Sequence, residues 1–591
     1  MNELRMSRWI WRLVLCAAVS GVLLTSSARM ALAQRPGAPK LLPKMTLAYV
    51  RVADSGELVD AFMQTSMGRL GRDNQIRPLV TQLYGSAAQA FSESQEQLGV
   101  SLDELLSIPR GGVCAALVGR EQGKPALAFL VDAGGNMPAA RKLLDACVRQ
   151  AEQNGQRART EQVKDVEVTV LNDFAFCDRD DTLLLSSSPE LIKEVLRVWD
   201  GEHEEMETLA DNPTFTTVTR PSVGTRDARP EISWFVDPIN LIDQVTRDND
   251  GAQIAIAMLP LLGLDGIKAA GGSIILPTKE FDSISHLHVL LDSPREGILK
   301  MVALEAGEVT PEDWVPRDAA SYMTVNWDLQ QTFDELETLL DGFRGEGSFQ
   351  DMIQRRFSDR LGIDFQQEVL DQFDDRVTHV RWFEKPARIN SGTNLFGIKL
   401  KDAEAFEDTL DAILAQAGDR AAKKSHQDIT YHELTPPRNQ RQSERVLVRR
   451  PTPCLGIVGD HLLASDSVKC LQAAISAKRS PADSFSDQLD FKLIASRIEQ
   501  ELGAREPAMI RFQRPEESMR SFYELATSPT TRRRLNEIAQ DNRVFRILND
   551  ALRENPLPPF SAIAKYLAPS GGMLTSDPSG LHYTGFSFKR E

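Results

Sequence analysis

The apolar positions of this chain follow two rhythms, and the two recur in the same order in each half. Alternation in Leu47-Ala48-Tyr49-Val50-Arg51-Val52 gives way to helical spacing at Leu58 and Phe62. Later, Tyr322-Met323-Thr324-Val325 is followed by Leu329, Phe333, Leu336, Leu340 and Phe343. A period of two puts successive side chains on opposite faces of a strand, and a period near 3.6 gathers them on one side of a helix. Both segments therefore predict a strand and then an amphipathic helix.

The correspondence continues along the chain. Leu98-Gly99-Val100 matches Leu361-Gly362-Ile363-Asp364, and each leads into two strand-like runs. Phe129 to Cys147 aligns without gaps on Phe396 to Leu414 at a shift of 267, and Asp181 to Ser186 aligns on Asp460 to Ser465 at a shift of 279. The shift grows because the second copy holds an extra excursion, 435–453. A smaller module recurs as well. Trp234 to Pro238, a helix with Leu241 and Ile242, and a Gly271-Gly272 strand pair through His288 match Ile510 to Pro515, a helix with Met519 and Phe522, and Gly571-Gly572 with the strands Leu574 to Phe588.

The expected order is A-B-A'-B', with A at 41–205, B at 228–295, A' at 314–480 and B' at 506–591. A period of about 275 residues is too long for a solenoid and reads as duplicated domains. The polar or Pro-containing stretches 201–229 and 306–317 read as linkers or surface loops. Strands come mostly in neighbouring pairs with helices between the pairs. That predicts an α+β fold of antiparallel or mixed sheets covered by amphipathic helices.

The Leu42-Pro43 strand start, the Leu98-Gly99 and Leu361-Gly362-Ile363-Asp364 segments, and the Gly-Gly strand pairs at 271 and 571 together resemble a family of uncharacterised exported bacterial proteins, known only as a domain of unknown function. The resemblance spans most of the chain after residue 33. It implies export and a duplicated fold, and it supplies no catalytic residue, cofactor or ligand.

The first residues predict export independently. Arg5, Arg8 and Arg12 precede the apolar run Leu13 to Leu24, and small residues lead to Ala31-Leu32-Ala33 before Gln34. This is the pattern of a signal peptide (1–33) cleaved between Ala33 and Gln34, because twelve apolar residues fall short of the roughly 20 a spanning helix requires. The expected compartment is the periplasm or the cell exterior. No later stretch reaches the length of a membrane span. Cleavage would move the formal charge from -16 to -19 by removing four arginines and one glutamate, and such an acidic chain disfavours nucleic-acid partners.

Five cysteines follow residue 33: Cys114, Cys147, Cys177, Cys454 and Cys470. In the internal alignment Cys147 stands where Leu414 does, Cys454 where Ala175 does and Cys470 where Leu191 does. Those are apolar places, so buried free thiols are expected, with a Cys114 to Cys177 bridge as the alternative. His286 and His288, two apart on a strand, are a candidate metal pair that lacks a third ligand; solvent-facing histidines opposite Leu287, Val289 and Leu291 are the preferred reading. Arg247 to Gly251 lacks the first and last carboxylates of a calcium loop and reads as a polar turn, and Asp178 to Asp181 reads as a hairpin turn.

No nucleophile elbow, zinc-protease helix, phosphate loop or dinucleotide fingerprint occurs. Ser186 and Ser465 recur before helices as capping hydroxyls. The excursion concentrates Arg438, Arg441, Arg445, Arg449 and Arg450 on one loop, a candidate site for an anionic partner, with a solvated hairpin extension as the plainer reading. No cofactor is implied. The expected function is non-enzymatic binding or scaffolding of an envelope protein, polymer or lipid. The alternatives are a hydrolase assembled from distant residues and a carrier of an apolar ligand.

Overall fold

The computed structural model describes residues 35–202, 206–222, 229–435, 448–480, 484–503 and 505–590. The chain divides into two compact units. The first runs to Ala257 and includes Ile267–Leu290 and Ile547–Leu557; the second comprises Met258–Gly266, Leu291–Arg546 and Pro558–Glu591. The fold is α+β, with large antiparallel sheets and many helices.

Ten strands build the sheet of the first unit: β1 (Thr46–Val52), β2 (Val113–Val118), β3 (Ala126–Asp132), β4 (Ala158–Val163), β5 (Val166–Leu171), β6 (Phe174–Arg179), β7 (Thr182–Ser186), β8 (Ile232–Val236), β9 (Ile267–Ile275) and β10 (Phe281–Leu291). They lie in the order β4-β5-β6-β7-β3-β2-β1-β8-β9-β10. The tight β6–β7 turn forms at Asp180 and Asp181, with φ of 48° and 60°. Asp tolerates this left-handed region, and two such residues twist a hairpin correctly.

The second unit holds β11 (Ser321–Asn326), β12 (Phe373–Phe383), β13 (Gly392–Leu400), β14 (Ala421–His426), β15 (Ile429–Leu434), β16 (Cys454–Val458), β17 (His461–Ser465), β18 (Met509–Gln513), β19 (Ser570–Asp577) and β20 (Gly580–Phe588). Their order is β14-β15-β16-β17-β13-β12-β11-β18-β19-β20.

An aromatic cluster anchors each unit beside its central strand. Tyr49 of β1 lies opposite Phe235 of β8, and the ring of Phe215 stands edge-on to both, at 5.7 and 5.3 Å. Tyr322 of β11 lies opposite Phe512 of β18, and Phe491 meets the two rings at 6.2 and 5.6 Å. The edge-to-face arrangement brings the positive rim of one ring to the negative face of the next. Phe215 lies on the helix Pro213–Thr219, within a stretch that the sequence reads as a linker. Leu209, Phe215 and Val218 are buried there, and so are Trp314 and Val315 of the other expected linker. The linker reading is corrected: a few apolar residues spaced among polar ones plug the core.

The Gly-Gly pairs have a steric origin. A Cβ on Gly271 would stand 2.4 Å from Val218 Cγ1, and one on Gly571 would stand 2.3 Å from Ile494 Cγ2. The second glycine of each pair faces a strand neighbour, with His286 O at 2.2 Å from a Cβ on Gly272 and Tyr583 Oη at 2.3 Å from one on Gly572. The first lets a helix press on the sheet, and the second lets side chain or backbone cross close above it.

The unit boundaries also differ from the modules read in the sequence. Met258–Gly266 belongs to the second unit, where Gly266 O accepts from Asp292 N, and Ile547–Leu557 belongs to the first, where Glu554 accepts from Gln82 Nε2 at 2.6 Å. Helices that exchange places in this way leave the alternation of polar and apolar residues unchanged.

Candidate docking surface

Of the five arginines in the excursion, Arg438, Arg441 and Arg445 lie outside the described residues, as do the signal peptide, Ala33 and Gln34. Arg450 is exposed, whereas Arg449 is 3% exposed. Its guanidinium donates to Asp466 O at 2.8 Å and to Asn390 O at 3.0 Å, and it pairs with Asp466 Oδ2 at 3.0 Å. The expectation for Arg449 is corrected: a buried charge must be matched locally, so this arginine anchors the end of the excursion and is not presented to a partner.

His288 is buried and His286 half-buried on β10, which corrects the solvent-facing reading. Alternation establishes that a strand has two faces, but it does not say which face is wet. Here Leu287 and Val289 are no more buried than His286. Among the described residues, no group of three or more His, Cys, Asp and Glu side chains is arranged to hold a metal ion.

All five cysteines are free; Cys114, Cys177, Cys454 and Cys470 are buried and Cys147 is half-buried. Burial pushes the four buried thiols up to about 12, because the thiolate would lose its water.

Ser186 Oγ donates to Leu127 O at 2.8 Å and accepts from Ser188 N at 3.0 Å; Ser465 Oγ donates to Asn394 O at 2.8 Å and accepts from Ser467 N at 3.1 Å. The helix caps are Ser188 and Ser467, two residues beyond those singled out in the sequence. These hydroxyls close strand-to-helix turns.

A buried polar cluster surrounds Glu312. It pairs with Arg376 Nε at 3.0 Å, accepts from Tyr322 Oη at 3.2 Å, and accepts from Thr378 Oγ1, which itself lies 2.8 Å from Thr324 Oγ1. His461 Nε2 stands 3.8 Å from the same carboxylate. Burial, then the negative Glu312, hold the Tyr322 hydroxyl well above its ordinary pKa. Glu312, Tyr322, Thr324, Thr378 and His461 are all buried, so this is a sealed core network. It offers no approach to a substrate.

The most open chemistry lies on helices of the second unit. Pro515–Thr527 and Pro529–Asp541 are followed by the start of Arg543–Glu554. Pro stands in the first turn of the first two, where its missing N–H costs no helical bond. Phe522 is 66% exposed and Val544 72% exposed, with Ile538 and Phe545 also exposed. Arg532, Arg533 and Arg534 are exposed in the same stretch. Helical spacing in the sequence puts Phe522 on a helix, and the arginine run shows there as three consecutive basic residues.

No protein-family model matches the chain, and no curated protein matches it. Among solved structures, it is similar to one titled "Structure of crystal form I of TP0453", at 9% identity and a TM-score of 0.23, over 45% of this chain and 82% of that one. A likeness at that level carries no argument about function.

Proposed function

We propose that this is an exported, non-enzymatic protein that docks on a phosphate-bearing lipid surface of the cell envelope, and that its two units descend from one duplicated A-B unit. The docking reading rests on one observation: Phe522, Val544, Ile538 and Phe545 are exposed on the same run of consecutive helices as the exposed Arg532, Arg533 and Arg534, in a chain of net charge -16. Apolar side chains partition into the boundary between headgroups and acyl chains, while arginines pair with phosphates. No described helix is long and apolar enough to cross a membrane, so the contact is interfacial. Export rests on the arginine, apolar and small-residue pattern of residues 1–33.

Support for duplication comes from matched detail: the same strand order in both units, the same tyrosine and two phenylalanines at the centre, and the same serine pair before a helix. Three features that coincide in register are hard to obtain by convergence on an antiparallel sheet.

The test is flotation of the chain from Gln34 onward with vesicles of phosphatidylglycerol and phosphatidylcholine, against phosphatidylcholine alone. Binding to the anionic vesicles only, weakened by salt, is expected. Arg532→Glu with Arg533→Glu and Arg534→Glu is expected to weaken it at least tenfold, at about 1 kcal/mol per basic residue. Equal binding to both vesicles, or no binding to either, overturns the proposal.

A further inference from the structure

The first unit also exposes apolar side chains on a pair of helices. Pro238–Thr246 exposes Ile242 and Val245, three residues apart and so on one side, and Asp250–Ala257 exposes Ile254. Val245 is 56% exposed and Ile254 67% exposed. Gln253 Nε2 donates to Asp243 O at 3.4 Å and ties the second helix to the first. Covering a side chain of this size gains up to about 1.5–3 kcal/mol, so such a face favours a partner that removes it from water.

The charge that this face turns outward is negative. Asp248 and Asp250 are exposed where the two helices join. The neighbouring cation is turned to its own chain: Arg247 Nη1 donates to Arg120 O at 3.3 Å and to Glu121 O at 3.1 Å, and its Nη2 lies 3.7 Å from Asp243 Oδ2. Two outward carboxylates beside apolar side chains disfavour a phosphate-bearing surface and suit a basic one.

The second unit offers a face of the opposite sign. Its helices Pro515–Thr527 and Pro529–Asp541 and the start of Arg543–Glu554 expose Phe522, Ile538, Val544 and Phe545 together with Arg532, Arg533 and Arg534. The two faces hold the same station in chain order. The acidic one follows β8 and precedes β9, and the basic one follows β18 and precedes β19. Each remains exposed in the single chain. Complementary faces on one polypeptide always meet at equal concentration, so a second copy is the partner that charge and apolar area together select.

We propose that the acidic face of one copy docks on the basic helices of another. The apolar side chains of both faces are covered together, and the arginine run compensates Asp248 and Asp250. The contact joins unlike surfaces, so it propagates along a chain of copies unless two copies close it symmetrically. A copy seated there covers the arginines that would otherwise meet phosphate, so self-association holds the protein off the membrane. That regulatory consequence rests on the lipid reading; the contact between copies does not.

The experiment is sedimentation velocity of the chain from Gln34 onward, without lipid, over a concentration series at low and high salt. The weight-average mass is expected to rise with concentration, and to rise less at high salt. Asp248→Arg with Asp250→Arg, and separately Arg532→Glu with Arg533→Glu and Arg534→Glu, are each expected to weaken self-association roughly tenfold or more. Each variant keeps the face that the other has lost. An equimolar mixture of the two is therefore expected to give a one-to-one complex, which also shows that both are folded. A wild-type protein that stays monomeric up to about 100 µM overturns the proposal, since specific interfaces of standard size hold at micromolar concentrations or below. Self-association that neither variant weakens overturns it too, as does a mixture that associates no more than its components. Vesicle flotation is a separate readout. Association without flotation sinks the lipid reading alone, and flotation of a protein that stays monomeric sinks this proposal alone.

Discussion

Arg449 Nη2 lies 3.0 Å from Asp466 Oδ2, and Arg449 Nη1 donates to the backbone carbonyl of the same aspartate at 2.8 Å. One guanidinium thus ties the end of the excursion to the turn after β17. Arg449→Met would remove the charge partner of Asp466 and the side-chain donor to the carbonyls of Asn390 and Asp466. A loss of about 3 kcal/mol in urea unfolding is expected, within the range for breaking a buried pair. Arg450→Met, at an exposed position, is expected to stay within about 0.5 kcal/mol.

Glu312 and Arg376 provide a test of non-additivity. Glu312→Ala leaves a largely buried arginine uncompensated beside Tyr322, and a loss of about 4 kcal/mol is expected. Glu312→Leu with Arg376→Met removes both charges and is expected to cost less than either single change. Equilibrium unfolding of the three proteins gives the coupling, and additive losses would contradict the sealed-network description.

Gly571→Ala is expected to destabilise the second unit by about 2 kcal/mol, because the new methyl would lie 2.3 Å from Ile494 Cγ2. Adding Ile494→Ala, which removes Cγ2, should recover part of that loss if the helix Leu489–Leu502 is what the glycine admits. Gly571 and Ile494 are in direct contact, so a thermal-melt cycle on the two should show clear coupling.

The buried thiols predict both reactivity and pH dependence. Burial pushes the Cys114 and Cys470 thiols up to about 12 in the folded protein, from an ordinary value of 9.0. An acid whose folded pKa is raised binds its proton more tightly when folded, so its stabilisation is complete below about 9 and is lost as pH rises toward 12. The denaturation midpoint is expected to fall over that window, and less steeply in Cys114→Ala. At pH 8, a disulfide reagent should leave the native buried thiols unmodified and react with them in urea. Rapid native labelling of Cys114 would contradict its burial.

Much of the architecture was legible in the chain. Strand and helix rhythms mark β1, β11 and the paired strands after each Gly-Gly, because one-face burial writes its period into the sequence. The Asp180-Asp181 turn was legible too, since few residues accept its backbone. Phe215 and Phe491 were not. Phe215 is a single ring among polar neighbours and Phe491 lies between the expected modules A' and B', and the burial of each depends on a tyrosine and a phenylalanine distant in the chain. For the candidate surface, the arginine run is visible as composition, but the exposure of Phe522 and Val544 on the adjoining helices is not.

The sequence alone determined the α+β class, the recurrent order of elements and the apolar character of the cysteine positions, since all three follow from local periodicity and internal comparison. Only the tertiary structure decided that Arg449 is an anchor, that His288 is buried, and that Glu312 pairs with Arg376 beside Tyr322. Those facts depend on which distant groups share one low-dielectric space. Separation along the chain does not encode that directly.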